Sequence, residues 1–135
     1  MQQEIKQTWF FHQPPEEVWD YLTKPELLAH WLMETDFKPI VGHKFTFTCN
    51  AVHYCEVLEV TPFKRLVYSW QADSIKTGRP FISKVVWTLV PKTNGTELQL
   101  VHNGFTTLED ALAHEEGWIK CGQKIVQRSN PLKHA

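Results

Sequence analysis

The feature that most restricts the fold is a long stretch of short apolar-polar alternations, followed by a single segment with helical periodicity. Successive side chains of a strand point to opposite faces, so alternation predicts strands with one buried face and one solvated face. Short connections between strands indicate antiparallel pairing, because parallel strands need long crossovers. The predicted strands of this stretch are 44–50, 52–61, 65–71, 81–90 and 96–103.

The faces of these strands can be assigned from the same alternation. Trp87 and Leu89 are expected on the buried face, with Thr88 on the wet face. Leu98, Leu100 and His102 share one face of the last strand, so His102 is expected to point into the fold. Asn94-Gly95 before that strand predicts a type I′ hairpin turn, which requires positive φ at both positions.

A strand and two short helices precede this stretch. Residues 4–12 predict the strand, and Pro14-Pro15 ends it. Helices are expected at Pro15–Leu22 and Pro25–Leu32, because proline is tolerated in a first helical turn. Thr23 and Glu26 fit a capping box for the second helix.

One long helix is expected after the strands. Thr107 is predicted to be the N-cap, and Asn130-Pro131 is expected to end the helix. Gly117 and Gly122 interrupt it, and each costs roughly 1 kcal/mol relative to Ala, which indicates a packing or cavity reason for glycine. The residues predicted to form its apolar face recur at steps of three and four: Leu108, Leu112, Ile119, Gly122, Ile125 and Val126.

Composition narrows the class of protein. The 135 residues fit one domain, 1–135, and the net charge of -1 argues against a nucleic-acid partner, which would require clustered Lys and Arg. Aromatic residues make up 13% of the chain, with six Trp and eight Phe, enough to fill a large core or to line a cavity. No apolar run approaches the roughly 20 residues of a membrane span.

The cysteines and the N-terminus favour a reducing compartment. Cys49, Cys55 and Cys121 form no CxxC pair, and their odd number argues against a disulfide framework, so all three thiols are expected to be free. The first residues have neither the basic nor the apolar region of a signal peptide. We therefore expect a cytoplasmic protein.

Several local strings occur together with this order of elements, and they span most of the chain. They are Pro15-Glu16-Glu17-Val18-Trp19, Thr23-Lys24-Pro25-Glu26 with Trp31, Gly42 before Phe45 and Phe47, Glu59-Val60-Thr61-Pro62, Arg65-Leu66-Val67-Tyr68-Ser69-Trp70, Val85-Val86-Trp87-Thr88-Leu89, Gly95-Thr96, His102-Asn103-Gly104-Phe105 and Gly117-Trp118. The combination resembles the START-like (SRPBCC) superfamily. Within it, the strings are similar to the family named after the C-terminal domain of the activator of heat shock protein 90 ATPase.

The resemblance implies an α+β helix-grip fold. In that fold a curved antiparallel sheet, here of six predicted strands, grips the long C-terminal helix, and two short helices accompany it. Members of the superfamily bind lipids, sterols, polyketides and other apolar molecules in a cavity between sheet and helix. The family shares no universal catalytic motif, so the resemblance implies architecture more than chemistry.

Residues expected around such a cavity follow from the predicted faces and from the resemblance. They are Phe47, Tyr68, Trp70, Trp87, Leu89, Leu100, His102, Trp118 and Gly122. The alternative is a solid aromatic core, which would place rings on the same faces.

This chain departs from the family pattern at two positions. Cys55 stands where the family often has glycine, and Gly122 stands where it often has leucine. Gly122 is expected to enlarge the cavity, because it removes a side chain from the helix face above it. The alternative is a close approach between helix and sheet at Gly122.

Candidate chemistry is sparse. His102 and Glu59 could form an acid–base pair if both point inward, and the alternative for His102 is a structural hydrogen bond near Gly104. His53, Cys55 and Cys49 lack the spacing of a metal site, so no metal and no cofactor are expected.

Three functions remain open at this point. The first is binding of an apolar or amphipathic small molecule, lipid-like or polyketide-like. The second is a co-chaperone-like interaction module whose partner is a chaperone. The third is a cyclase- or hydrolase-like enzyme that uses His102. Neither ligand identity nor oligomeric state follows from the sequence.

Overall fold

The computed structural model describes residues 3–129, with side chains described up to residue 126. They form three helices and seven strands. In chain order these are β1 (Gln3–Phe11), α1 (Pro15–Thr23), α2 (Pro25–Trp31), β2 (Glu34–Thr35), β3 (Lys44–Thr48), β4 (Val52–Thr61), β5 (Arg65–Asp73), β6 (Pro80–Lys92), β7 (Gly95–Phe105) and α3 (Leu108–Ser129).

The strands form one antiparallel sheet in the order β1-β7-β6-β5-β4-β3-β2. The α+β helix-grip architecture is confirmed, with α3 packed against β1, β7 and α2. The prediction of six strands is wrong by one, because β2 pairs through Glu34 and Thr35 with the end of β3. Two residues are too few for alternation to reveal a strand in the sequence.

The predicted strand faces agree with the structure in the centre of the sheet. Trp87 and Leu89 are buried and Thr88 is half-buried, as alternation requires. His102 is fully buried on the same face of β7 as Leu98 and Leu100. This face packs against the helices.

The β6–β7 turn differs from the prediction of a type I′ hairpin. Lys92 pairs with Gly95, so Thr93 and Asn94 form the turn, and Asn94 does not have positive φ. Gly95 has a φ of 156°, and a Cβ at this position would overlap the backbone carbonyl of Phe11. Glycine is therefore required here for the close approach of β1.

The capping box predicted for α2 is also absent. Lys24 is the N-cap of α2 and makes no side-chain capping bond. The Thr23 hydroxyl instead donates to the Trp19 carbonyl at 2.9 Å, within the last turn of α1. Because α1 continues through Thr23, that residue has no opportunity to cap the next helix.

The apolar face predicted for α3 is partly wrong. Leu108, Leu112 and Ile119 are about half exposed, on the outer side of the helix. The buried positions are Ala111, Trp118, Gly122 and Ile125, together with the polar Asp110. Thr107 does act as the N-cap, since its hydroxyl accepts the Asp110 amide at 3.1 Å. The predicted end at Asn130-Pro131 lies outside the described residues. No helix in the described part has both the length and the apolar character needed to cross a bilayer.

Candidate functional site

A pocket of about 220 Å³ opens between α3 and the sheet. Its walls come from the end of α2, from β4 and β5, and from the middle of α3. The surface is mostly apolar, and none of the lining residues is Lys, Arg, Asp or Glu. The lining residues are Leu32, Met33, His53, Trp70, Ala113, His114, Gly117, Trp118 and Cys121.

Trp70 forms the sheet side of this pocket. The His53 ring stacks on its indole with centroids 4.4 Å apart, and the Trp118 ring lies 6.1 Å away. Trp70 is almost fully buried, and its Nε1 has no hydrogen-bond partner among the described residues. A buried donor without an acceptor is uncommon and costs about 1–3 kcal/mol.

Two histidines contribute the polar part of the wall. The Nδ1 of His53 lies 3.0 Å from the Gln71 carbonyl, and the Nδ1 of His114 lies 2.8 Å from the Asp110 carbonyl. A carbonyl only accepts, so each Nδ1 carries a hydrogen. In the neutral rings both Nε2 atoms are therefore acceptors, and neither has a partner within the described residues. Burial lowers the pKa of His114 and favours its neutral form.

Asp110, whose backbone carbonyl holds the His114 ring, also has a buried carboxylate that fixes this turn of α3. Asp110 accepts the Ser74 hydroxyl at 2.6 Å and the Ile75 amide at 2.8 Å, and it also accepts the Thr107 hydroxyl. Burial raises the pKa of Asp110, but the hydrogen bonds from Ser74, Thr107 and Ile75 outweigh burial and hold the pKa below its usual value. This network attaches the loop after β5 to the start of α3.

His102 lies deeper in the fold and is saturated with structural hydrogen bonds. Trp118 Nε1 donates to His102 Nδ1 at 2.9 Å, so Nε2 carries the hydrogen and donates to Ser83 Oγ at 2.7 Å. The Ser83 hydroxyl in turn donates to the Trp70 carbonyl at 3.1 Å. Burial, with smaller contributions from the neighbouring His114 and His53, lowers the pKa of His102 to about 3. Both ring nitrogens of His102 are engaged in hydrogen bonds. This agrees with the alternative of a structural role for His102 rather than with an acid–base role.

Glu59 does not join His102. Its carboxylate forms an ion pair with Arg65 at 3.0 Å, and both side chains are nearly half exposed. The register between β4 and β5 shifts between Val57 and Glu59, which interrupts the alternation of β4. The proposed inward acid–base pair is therefore wrong.

Most of the residues expected around a cavity lie in the solid part of the core. Trp70 and Trp118 line the pocket. The others are packed against each other, with Trp87 Nε1 donating to the Tyr68 hydroxyl at 3.0 Å as one internal contact. These core residues are Phe47, Tyr68, Trp87, Leu89, Leu100 and His102.

Gly122 does not enlarge the pocket. A Cβ at Gly122 would overlap the indole of Trp9 on β1. The expectation of a cavity at this position is wrong, and the alternative of a close approach between helix and sheet is correct. A large side chain from the sheet fills the space that the missing helix side chain leaves.

The three cysteines are free thiols, as expected. Burial raises the pKa of Cys55 to about 12, and burial also raises the pKa of Cys121. Cys49 is exposed. Within the described residues, no three His, Cys, Asp or Glu side chains converge as a metal site would require.

Sequence reasoning missed His114 and Cys121 as pocket residues, and for Gly117 it gave only a packing or cavity reason for the glycine. They share one side of α3 with Trp118, at helical spacing, so this face could have been found by starting from Trp118. The aliphatic residues of the outer face gave a competing periodic signal. His53 was considered only as a metal ligand.

Comparison with known proteins identifies the relatives of this chain. Residues 12–129 match the family model described as Activator of Hsp90 ATPase homolog 1-like protein. Protein MLL2253 from Mesorhizobium loti is 35% identical, with a TM-score of 0.84 over 93% of this chain and 95% of that protein. No curated protein matches the sequence.

Two further solved structures share the fold at lower identity. DynU16, a protein of the dynemicin biosynthetic locus, is 20% identical, with a TM-score of 0.80 over 92% of this chain and 46% of that one. The Aha1 dimer from Colwellia psychrerythraea is 17% identical, with a TM-score of 0.80 over 95% of this chain and 96% of that one. Because the family model covers most of the chain, this protein belongs to the Activator of Hsp90 ATPase homolog 1-like family.

Proposed function

We propose that this protein binds a small apolar or amphipathic molecule, lipid-like or polyketide-like, in the pocket between α3 and the sheet. The observation that carries the proposal is a mostly apolar pocket with a few polar atoms and no charged wall residue. Such walls are typical of small-molecule sites. The similarity in fold to DynU16, from a biosynthetic locus, supports a small-molecule partner.

The size of the pocket limits the ligand. Its volume of about 220 Å³ is below the range of roughly 300–1,000 Å³ that is usual for drug-sized ligands. We therefore expect either a small ligand or one that enters with an apolar end and leaves the rest at the surface. The lining includes the half-buried Leu32 and Met33 and the exposed Ala113 and Gly117, so part of a longer ligand can remain in contact with solvent.

Filling the pocket from α3 tests the proposal. A Cβ at Gly117 meets nothing within 4 Å. Helical side chains lean toward the N-terminus, so leucine at Gly117 will lie over Ala113 and His114, which line the pocket. Gly117→Leu is expected to weaken binding of the fluorescent apolar probe N-phenyl-1-naphthylamine at least about tenfold, while thermal unfolding shows an intact fold.

The matched control is Glu116→Leu, which adds leucine at an exposed neighbouring position outside the pocket. Its probe affinity should equal that of the unmodified protein. If the unmodified protein does not bind the probe, or if Gly117→Leu binds it equally well, the pocket is not the binding site.

A second candidate function is interaction with a chaperone of the Hsp90 type. The observation in its favour is the exposed apolar row of Leu108, Leu112 and Ile119 on the outer side of α3, together with membership of this family. The test is the ATPase rate of purified Hsp90 with and without this protein. Stimulation that is lost in Leu112→Ser and retained in Gly117→Leu would favour the outer face of α3 over the pocket.

A further inference from the structure

The pocket has a polar pattern that distinguishes between classes of apolar ligand. His53 and His114 line it, and the Nε2 of each is an acceptor without a partner among the described residues. An unpaired donor, Nε1 of Trp70, is buried in the same wall. On this basis, and resting on the binding function proposed above, we infer that the pocket selects apolar molecules that carry a hydroxyl group, either a phenol or an alcohol.

A hydroxyl group matches this pattern because it donates one hydrogen and also accepts. Its hydrogen can go to the Nε2 of one histidine, and its oxygen can accept from the Trp70 indole if the ring turns slightly. The tautomers are already set by the Gln71 and Asp110 carbonyls, so the acceptors need no rearrangement before a ligand arrives. Sites whose polar groups are oriented in advance bind with a smaller loss of entropy.

The walls also discriminate against charged ligands. A buried carboxylate or ammonium group is costly without an opposite charge, and none of the nine lining residues is Lys, Arg, Asp or Glu. The low pKa of His114 keeps that ring neutral, so it offers no positive charge to a carboxylate near neutral pH. A neutral hydroxyl avoids this cost and still uses the polar atoms.

The experiment compares 2-naphthol with 2-methylnaphthalene, which replaces the hydroxyl by a methyl group of similar size. Affinities are measured by calorimetric titration near pH 8, above the ordinary titration range of histidine and below that of the naphthol. We expect 2-naphthol to bind about tenfold more tightly, the ratio that one hydrogen bond typically supplies. The indole proton of Trp70 should shift in the NMR spectrum with 2-naphthol and not with the methyl compound.

Variants connect the preference to the histidines. His53→Phe keeps a ring that can stack on Trp70, and His114→Phe keeps a ring beside Phe105. The variant that removes the acceptor of the hydroxyl should lower the affinity for 2-naphthol to about that for 2-methylnaphthalene. The affinity for 2-methylnaphthalene itself should change little. The matched control is His43→Phe. His43 also stacks on an aromatic ring, that of Phe45, and contacts a backbone carbonyl, but it lies outside the pocket.

The outcomes separate this inference from the proposal on which it rests. Equal binding of the two compounds overturns the hydroxyl preference but leaves an apolar-ligand pocket in place. A preference that survives both His53→Phe and His114→Phe, or that is lost in His43→Phe, overturns the assignment to these histidines. Failure of both compounds to bind contradicts the binding function itself, and the hydroxyl preference with it.

Discussion

Gly117 and Gly122 lie on the same helix, and their surroundings differ. A Cβ at Gly122 would overlap the Trp9 indole, whereas a Cβ at Gly117 would meet nothing within 4 Å. At the first position the sheet fills the space under α3, and we call this region the closed end. At the second position the pocket lies under α3, and we call this region the open end.

The two ends also differ in how their polar atoms are paired. At the closed end, Trp31 Nε1 donates to the Tyr21 carbonyl at 2.8 Å, and Trp87 Nε1 donates to the Tyr68 hydroxyl at 3.0 Å. At the open end the indole nitrogen of Trp70 has no partner within the described residues. Folded proteins rarely leave buried polar groups unpaired. Gln13 Oε1, outside the pocket, is also buried without a partner among the described residues, so the open end is marked by the unpaired Trp70 nitrogen together with the pocket that Trp70 lines.

The largest expected effect is a loss of folding stability in acid, because His102 lies between the open end and the closed end. Its ring is 6.0 Å from those of Trp70 and Trp118, and Trp118 also packs on Trp87. The pKa of His102 is about 3 in the folded protein and 6.5 ordinarily, so between these values the unfolded chain binds the extra proton. The contribution of His102 to stability is therefore complete above pH 6.5 and falls as the pH drops toward 3, by at most about 5 kcal/mol. Urea unfolding at several pH values measures this change in the free energy of unfolding.

The control for this prediction is His102→Gln. Glutamine can accept from Trp118 and donate to Ser83, but it does not titrate. The variant should be less stable at pH 7 and should lose less stability between about pH 6.5 and 4. An equally steep loss in both proteins would mean that another group causes the acid sensitivity.

Gly122→Leu tests the closed end. The new side chain must displace the Trp9 indole, so we expect a loss of about 1–3 kcal/mol from overpacking, despite the better helix propensity of leucine. Chemical denaturation measures the loss. Trp9→Ala in the same chain should recover part of it, because the obstructing ring is then absent. A stable Gly122→Leu protein with normal packing would show that the closed end has unused space.

Gly117→Ala is the corresponding test of the open end, and its effect should be smaller and opposite in sign. Alanine gains roughly 0.5–1 kcal/mol in helix propensity, and its Cβ contacts nothing within 4 Å. The midpoint of thermal unfolding should rise by a few degrees. A lower midpoint would indicate that the helix at Gly117 is closer to its neighbours than the structure shows.

The sequence was sufficient to predict the helix-grip architecture, because alternation and helical periodicity extend over long segments. It was insufficient where a single contact decides the outcome. From the sequence, Gly122 on α3 could face either a cavity or a ring. Only the position of Trp9, on the distant strand β1, decides between the two. The same limitation applies to Glu59, where a register shift in β4 precedes an ion pair with Arg65.

The pocket was only partly predictable for a related reason. Trp70 and Trp118 belong to the apolar pattern, and both were expected at a cavity. His53 and His114 become pocket residues because backbone carbonyls fix their rings, and such contacts leave no periodic signal in the sequence. The face of α3 was misjudged because its outer side also carries leucine and isoleucine.

The smallest expected effect concerns the rate of a chemical modification at the open end. Cys121 lines the pocket, Cys49 is exposed outside it, and Cys55 is buried in the sheet. The thiolate is the species that reacts with iodoacetamide, and burial raises the pKa of both Cys55 and Cys121, so Cys49 should be alkylated first. Bound N-phenyl-1-naphthylamine should then slow alkylation of Cys121 severalfold by covering it, with no change at Cys49, as followed by mass spectrometry of the peptides. Equal slowing at both cysteines would indicate a general change in the protein, and no slowing at a saturating probe concentration would place the probe outside the open end.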